Sequence, residues 1–163
     1  MILGLTTSTY TMAHVLLSLV GIGSGLVVLA GLIAGQRREG WTALFLATTV
    51  ATSVTGLGFP FDRLLPSHIV GIVSLVVLAL GILARYPLRL ARGWRRVYVV
   101  CAVLALYLNV FVAVVQAFLK VPALKALAPT QTETPFAVAQ LLALVLFVVL
   151  GVAGAKKFRV GQA

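Results

Sequence analysis

The stretch that decides the fold runs from Val97 to Leu119 and reads VYVVCAVLALYLNVFVAVVQAFL, without a single Asp, Glu, Lys or Arg. A helix of about 20 apolar residues crosses the hydrocarbon core of a bilayer, which is about 30 Å thick. Four further charge-free runs of sufficient length lie at Met1 to Gln36, Gly40 to Phe61, Leu64 to Ala84 and Thr134 to Ala155. The sequence therefore predicts an all-α integral membrane helical bundle with five transmembrane helices, as one domain of residues 1–163.

The predicted spans cover about residues 12–35, 41–60, 67–85, 97–119 and 136–155. Residues 120–135 form the one long outer loop, which carries three prolines. Between the first and second of these prolines, the segment Ala123-Leu-Lys-Ala-Leu127 is expected to form a short surface helix. Because no proline interrupts the interior of a span, each span is predicted to be a continuous helix.

Composition supports a membrane location, because 61% of the residues are apolar and 10% are charged, with a mean hydropathy of +1.13. A soluble domain with this composition would have too little polar surface. The formal net charge of +10 would favour nucleic-acid binding in a soluble protein. Here the basic residues lie at the span ends, where cations set orientation and meet anionic lipid. The sequence thus predicts membrane lipid, and no nucleic acid, as a partner.

The basic residues divide unevenly between the two sides of the membrane. One side holds ten of them, namely Arg37, Arg38, Arg85, Arg89, Arg92, Arg95, Arg96, Lys156, Lys157 and Arg159. The other side holds Arg63, Lys120 and Lys125. Because cytoplasmic loops carry the excess of Lys and Arg, the N-terminus is predicted outside and the C-terminus in the cytoplasm. The first segment has no basic leader, so we expect it to remain as a span.

Small residues predict close helix packing on the first span. Gly21 pairs with Gly25, and Gly31 with Gly35, at the spacing of four that lets helix backbones approach each other in a bilayer. Such faces suit packing within one chain, against a second copy of the chain, or against a membrane protein partner. The second span carries the hydroxyls of Thr48, Thr49, Thr52, Ser53 and Thr55. We expect these hydroxyls to bond mainly to their own helix.

Polar side chains gather near the predicted outer boundary of the membrane. The set consists of His14, His68, Asn109, Gln116, Gln140 and, from the outer loop, Glu133. Asn109 lies about 10 Å deeper than Gln116 on the same helix face. Intramembrane polar groups are functional candidates, so the sequence predicts a ligand-binding site that opens towards the outside.

His14 and His68 are the candidate cofactor-binding residues of this site. Two imidazoles on different spans at similar depth are suited to hold the iron of one b-type haem between them. Diheme four-helix cytochromes use four histidines, so only a single haem fits this sequence. A metal ion held by His14, His68 and Glu133 is an alternative, since imidazole suits several transition metals. In the remaining alternative, each histidine hydrogen-bonds a neighbouring helix or interfacial water.

Asn109, Gln116, Gln140 and Glu133 are the candidate ligand-binding residues. Their polar groups suit the oxygen atoms of a quinone or a lipid head group, while the alternative is hydrogen bonding between helices. No catalytic residue is assigned, because the sequence has no HExxH, nucleophile-elbow, P-loop or CxxC motif and only three acidic residues. Whether the protein is an enzyme stays open at this point.

The fourth span and the outer loop carry a family resemblance. The segments are Tyr107-Leu-Asn-Val-Phe-Val112, Val115-Gln-Ala-Phe-Leu-Lys-Val-Pro122 and Leu127-Ala-Pro-Thr-Gln-Thr-Glu-Thr-Pro-Phe136. In these segments the chain resembles small multispan bacterial inner-membrane proteins with no assigned activity. The resemblance implies a multi-pass protein of the bacterial inner membrane and carries no reaction.

Three classes of function are consistent with the sequence. The leading hypothesis is a binding module or accessory subunit that holds haem, a quinone or a lipid at the outer polar site. The alternative is a b-type electron carrier or redox enzyme with one haem bound by His14 and His68. A third hypothesis is a purely structural or assembly protein, which predicts that bulky residues at Gly21 or Gly25 disrupt association.

Overall fold

The computed structural model describes residue 4 and residues 6–59 and 66–159, and within these ranges it contains helices and no β-strand. The helices are α1 (Thr7–Ile33), α2 (Glu39–Leu57), α3 (Pro66–Arg85), α4 (Trp94–Lys120), α5 (Pro122–Leu127) and α6 (Thr134–Lys157). All except α5 are long and apolar enough to cross a membrane. The prediction of an all-α fold with five such helices is confirmed, as is the short helix in the long loop. Arg63, one of the three cations predicted on the outer side, lies outside the described residues.

Local sequence explains where α1 begins and ends. The hydroxyl of Thr6 accepts a hydrogen bond from the N–H of Thr9 at 3.2 Å and so caps the first turn. At the other end, Gly35 has a φ of +72°, which glycine adopts without a steric penalty. The chain turns there, so that the N–H of Gln36 donates to the carbonyl of Gly31 at 2.8 Å. This tight turn leads directly into α2.

The four helices α1 to α4 form a ring in which each helix packs against the next and α4 also packs against α1. Helix α6 packs against both α1 and α4. Consecutive helices of the ring run in opposite directions, as do α4 and α6, whereas α1 and α6 run in the same direction. Tyr10 near the start of α1, for example, donates its hydroxyl to the carbonyl of Thr55 near the end of α2 at 2.8 Å. Likewise, Phe118 near the end of α4 packs against Phe136 near the start of α6, with 5.4 Å between the ring centroids.

This alternation gives the bundle two ends. We call the first the histidine end; it contains the starts of α1, α3 and α6 and the ends of α2 and α4, with His14 and His68. The opposite end, the basic end, contains all ten cations that the sequence placed on one side of the membrane. The charge asymmetry of the sequence is therefore an asymmetry of the folded bundle.

Glycines allow the close approach of helices in the middle of the bundle. A Cβ added at Gly25 of α1 would lie 2.6 Å from Leu106 Cδ1 of α4 and 2.9 Å from the Phe45 ring of α2. At Gly154 of α6, by contrast, an added Cβ would lie 3.5 Å from Leu32 Cβ of α1, an ordinary van der Waals distance. At Gly25, the predicted small-residue packing therefore takes place within one chain.

Three of the five hydroxyls predicted to bond to their own helix do so, namely those of Thr48, Ser53 and Thr55. Thr52 Oγ1 is instead buried without a hydrogen-bond partner among the described residues. Thr48 Oγ1 donates to the carbonyl of Leu44 at 2.7 Å, and Ser53 Oγ donates to the carbonyl of Thr49 at 2.9 Å. These bonds satisfy the hydroxyl protons without a partner helix. Ser53 Oγ also lies 3.2 Å from Ser74 Oγ of α3, so the same cluster joins α2 to a neighbour.

Candidate functional site at the histidine end

At the histidine end, the side chain of His14 is held against the last turn of α2. Its Nδ1 lies 2.9 Å from Thr55 Oγ1. The imidazole ring packs edge to face with Phe59, with 5.3 Å between the ring centroids. Gly56 leaves room for the ring, since a Cβ added there would lie 3.4 Å from His14 Cε1. Tyr10 bonds to the same turn through the Thr55 carbonyl, so the imidazole has a fixed position.

The hydrogen bonds of Thr55 determine which nitrogen of His14 carries the proton. Thr55 Oγ1 lies 2.7 Å from the carbonyl of Ala51 and 3.2 Å from that of Thr52, and it donates to this backbone. Because a hydroxyl has one proton to donate, Thr55 Oγ1 accepts from His14, and Nδ1 carries the hydrogen. Nε2 of the neutral ring then has a lone pair, which accepts a hydrogen bond or binds a metal. His14 is only half-buried, so a ligand can approach it.

His68 lies at the same end, in the first turn of α3, and is 3% exposed. Helices α1 and α3 pack against α2 and α4 rather than against each other. The structure thus brings both histidines to one end, while His14 is bonded to α2.

Among the described residues, no three His, Cys, Asp or Glu side chains form a group that could hold a metal ion. His14, His68 and Glu133 therefore do not assemble the metal site weighed from the sequence.

Asn109 lies deeper in the bundle and is 7% exposed. Its Nδ2 donates to Thr49 Oγ1 of α2 at 3.4 Å. Gly21 of α1 faces this pair, since an added Cβ would lie 3.3 Å from each of the two atoms. The amide is therefore surrounded by three helices and bonds α4 to α2, which is the interhelical alternative considered for Asn109.

The two glutamines of the site differ in their surroundings. Gln140 Nε2 of α6 donates to the carbonyl of Phe111 on α4 at 3.2 Å, whereas its Oε1 is buried without a hydrogen-bond partner among the described residues. A buried acceptor without a partner is energetically costly. Gln116 is partly buried on α4. Its neighbour Val115 accepts a hydrogen bond from Gln131 Nε2 of the long loop at 3.0 Å.

Glu133 is bonded within its own loop, just before α6. Its carboxylate accepts from the N–H of Thr130 at 3.1 Å, from the hydroxyl of Thr130 at 2.9 Å and from the N–H of Thr132 at 3.1 Å. Desolvation acts to raise the pKa of Glu133, but these hydrogen bonds outweigh it, and the pKa lies below its ordinary value. The geometry favours a structural role for this carboxylate at the turn into α6.

Replacing Glu133 by glutamine should lower the melting temperature of the detergent-solubilised protein at neutral pH by a small amount. The folded-state pKa is lowered, so the carboxylate stabilises the fold above the ordinary pKa of a glutamate, about 4.3, and loses this effect as the pH falls through the folded value. Melting curves of both proteins at pH 7 and at pH 3 would test this. A difference as large at pH 3 as at pH 7 would contradict it, and Lys125→Gln on neighbouring α5 serves as a charge-change control.

The sequence placed the candidate residues at the correct end but missed Tyr10, Thr55 and Phe59, which surround His14. Tyr10 lies one helical turn before His14, a spacing that puts both side chains on one face of α1. The pairing of that face with the end of α2 depends on tertiary packing. No protein-family model, curated protein or solved structure matches the chain.

Proposed function

We propose that the chain is an accessory, ligand-binding protein of a bacterial inner membrane, with its N-terminus outside and its C-terminus in the cytoplasm. The ten cations at the basic end support this orientation, because cytoplasmic loops are enriched in Lys and Arg. The location in a bacterial inner membrane rests on the resemblance inferred from the sequence of residues 107–136 alone. In this orientation the histidine end faces outside.

The proposed ligand site centres on His14, and the bond from its Nδ1 to Thr55 Oγ1 at 2.9 Å is the observation that carries the proposal. A histidine whose Nδ1–H is held by a fixed acceptor has a defined ring orientation and an Nε2 lone pair that can accept a hydrogen bond. We infer a ligand that donates a hydroxyl proton to Nε2, such as the quinol form of a quinone or a lipid head group.

A second candidate is a single b-type haem, which would make the protein an electron carrier or redox enzyme. Histidine ligands of metals usually donate their other ring N–H to a second protein group, as His14 does to Thr55. His68, at the same end, is the second ligand that this candidate requires. When bound, the haem would supply one-electron chemistry.

A purely structural role is the third candidate, and the interhelical bond between Asn109 and Thr49 favours it. Such bonds contribute about 0.6 kcal/mol on average in a membrane. This candidate predicts that Asn109→Ala lowers stability by a similar amount and that variants at His14 change no binding property.

An absorption spectrum of the purified protein, expressed with haem precursor, separates the first two candidates. A reducible Soret and α-band spectrum at about one haem per chain, lost in His14→Ala, would establish the haem candidate. A colourless protein would exclude a bound b-type haem and leave the organic ligand.

For the organic ligand, His14→Ala should weaken the binding of a short-chain quinol by roughly fivefold, the effect of one lost hydrogen bond. Titration calorimetry in detergent measures this affinity. Thr55→Val should also weaken binding, because the ring loses its fixed acceptor, whereas Thr55→Ser keeps the hydroxyl and should bind like the parent. Equal affinity in all four proteins would contradict the site.

A further inference from the structure

The basic end contains an open groove of about 770 Å³ between the start of α4 and the end of α6. A volume in this range accommodates a small ligand. Five of the ten cations of this end line it, namely Arg92, Arg95, Arg96, Lys156 and Arg159. Val152 of α6 forms part of an apolar wall beside them. The groove thus combines concentrated positive charge with an apolar surface.

Among the described residues, no Asp or Glu side chain lines the groove beside these five charges. The chain has three acidic residues. Glu39 pairs with Arg85, and Glu133 lies at the histidine end. Asp62 lies outside the described residues. Because neighbouring like charges repel each other, a bound anion would stabilise the groove.

The donors of the groove suit an anion with several oxygen atoms. Arg95 Nη1 donates to the carbonyl of Ala155 at 3.3 Å, which bonds α4 to α6 across the groove and leaves other guanidinium N–H groups for a ligand. Guanidinium groups bind phosphate oxygens in pairs. Helix α4 also begins here with no acidic residue in its first turn and no side-chain cap, so its positive dipole end adds to the attraction.

The connection between α3 and α4 shows backbone strain beside the groove. Arg92 has a φ of 50°, and the preceding Leu90 has a φ of 58°. Left-handed conformations are uncommon for residues other than glycine, and such strain is concentrated at functional sites. Both residues line the groove, so the strained segment contributes directly to its wall.

An apolar strip leads from the groove towards the middle of the membrane. Val152 is 49% exposed, and Val148 and Val145, one and two turns away on the same face of α6, are 56% and 52% exposed. An inorganic phosphate would contact only the cations and not the valines. A phospholipid would use both features, with its phosphate at the cations and an acyl chain along the valines.

We propose that this groove binds a phosphate group, and that the phosphate belongs to an anionic phospholipid of the surrounding membrane. The site lies at the opposite end of the bundle from His14 and is independent of the ligand proposed there. It narrows the lipid partner that the sequence predicts to an anionic phospholipid in one groove, held by five of the ten cations.

Trp94 is the probe for the test, because it begins α4 beside Arg95 and is one of the two tryptophans of the chain. The full-length Trp41→Phe protein is placed in phosphatidylcholine nanodiscs that contain either brominated phosphatidylglycerol or the same fraction of brominated phosphatidylcholine. We expect the brominated phosphatidylglycerol to quench Trp94 more strongly. Adding Arg92→Gln and Arg96→Gln should weaken the lipid preference roughly tenfold.

A matched control removes the same charge from the same end outside the groove, through Arg37→Gln and Arg38→Gln. This control should keep most of the preference, because Arg37 and Arg38 do not line the groove. Equal quenching of Trp94 by the two brominated lipids in the parent would overturn the proposal. An equal loss of the lipid preference in the groove variant and in the control variant would also overturn it. If the groove variant melts early, Lys156→Gln with Arg159→Gln tests the opposite wall in the same assay.

Inorganic phosphate in excess over the lipid distinguishes the two sources of the phosphate group. A phospholipid held also by its acyl chain should remain bound, so the quenching preference should persist. If inorganic phosphate abolishes the quenching preference in the parent protein and changes nothing further in the groove variant, the lipid assignment would be overturned. The groove would then be a site for free phosphate.

Discussion

Replacing Gly25 by leucine will unfold the bundle at a much lower denaturant concentration than the parent requires. An added Cβ alone would lie 2.6 Å from Leu106 Cδ1 and 2.9 Å from Phe45 Cδ2. Both neighbours are 1% exposed, so neither can move without disturbing the core. Extra methylene groups in a packed core cost about 1–3 kcal/mol and sometimes more, and we expect a loss of at least about 3 kcal/mol for leucine.

Unfolding in mixed micelles with increasing dodecyl sulfate, followed by circular dichroism, measures this loss. Gly23→Leu is the matched control, because a Cβ at Gly23 meets nothing within 4 Å. There the leucine faces lipid and gains up to about 1 kcal/mol of helix propensity over glycine. A loss at Gly23 as large as at Gly25 would contradict the packing argument. Loss of association with an intact fold at Gly25 would instead favour an assembly interface.

The membrane-spanning fold was predictable because a bilayer permits few solutions for a long apolar segment. The charge-free run Val97 to Leu119 became α4, which extends beyond it to Trp94 and Lys120. Such extensions could not be predicted from hydropathy, because helix ends outside the hydrocarbon core depend on caps and turns. The turn at Gly35, with its positive φ, is an example of such a local determinant.

The candidate site was predictable in depth but not in its contacts. Position along a span places His14, Gln140 and Asn109 at a given depth, since the rise per residue of a helix is constant. The rotation of each helix decides which partner a side chain meets, and the sequence does not specify that rotation. Glu133 shows the limit most clearly, because its carboxylate bonds to Thr130 of its own loop rather than to the polar cluster.

The basic groove illustrates a different limit of sequence reasoning. Counting cations predicts which side of a membrane a loop occupies, and the ten cations do lie at one end of the bundle. Counting does not reveal that Arg92, Arg96 and Arg159 converge on one groove while Arg37 does not. That convergence depends on how the end of α6 packs beside the start of α4.

A second large effect is expected at the ion pair that joins α2 to α3. Arg85, the last residue of α3, is 7% exposed, and its Nη2 donates to Glu39 Oε2. Its guanidinium carbon lies 5.0 Å from the centroid of the Tyr98 ring, an attractive arrangement. Its Nε is buried without a hydrogen-bond partner among the described residues. The carboxylate of Glu39 is therefore the main group that stabilises this buried charge.

Replacing Glu39 by alanine will destabilise the fold by about 1–2 kcal/mol. Removing one partner of a fully buried pair costs about 3–5 kcal/mol, because the other charge stays buried without compensation. Here the side chain of Glu39 is 66% exposed, so water screens the pair and reduces the cost. Arg85→Met should cost less than Glu39→Ala, since an apolar side chain replaces a buried charge with little loss when it packs well.

The double variant, Glu39→Ala with Arg85→Met, tests whether the unpaired guanidinium causes the loss of stability. The test is whether the double variant is more or less stable than Glu39→Ala alone. If an uncompensated guanidinium is the source of the loss, the double variant will be more stable than Glu39→Ala alone. Independent contributions would make it less stable, because the two losses would add. The free energy of unfolding of all four proteins in the micelle assay decides between these outcomes. Coupling would also explain in physical terms why one of only three acidic residues stands at position 39, where the surrounding charges are otherwise positive.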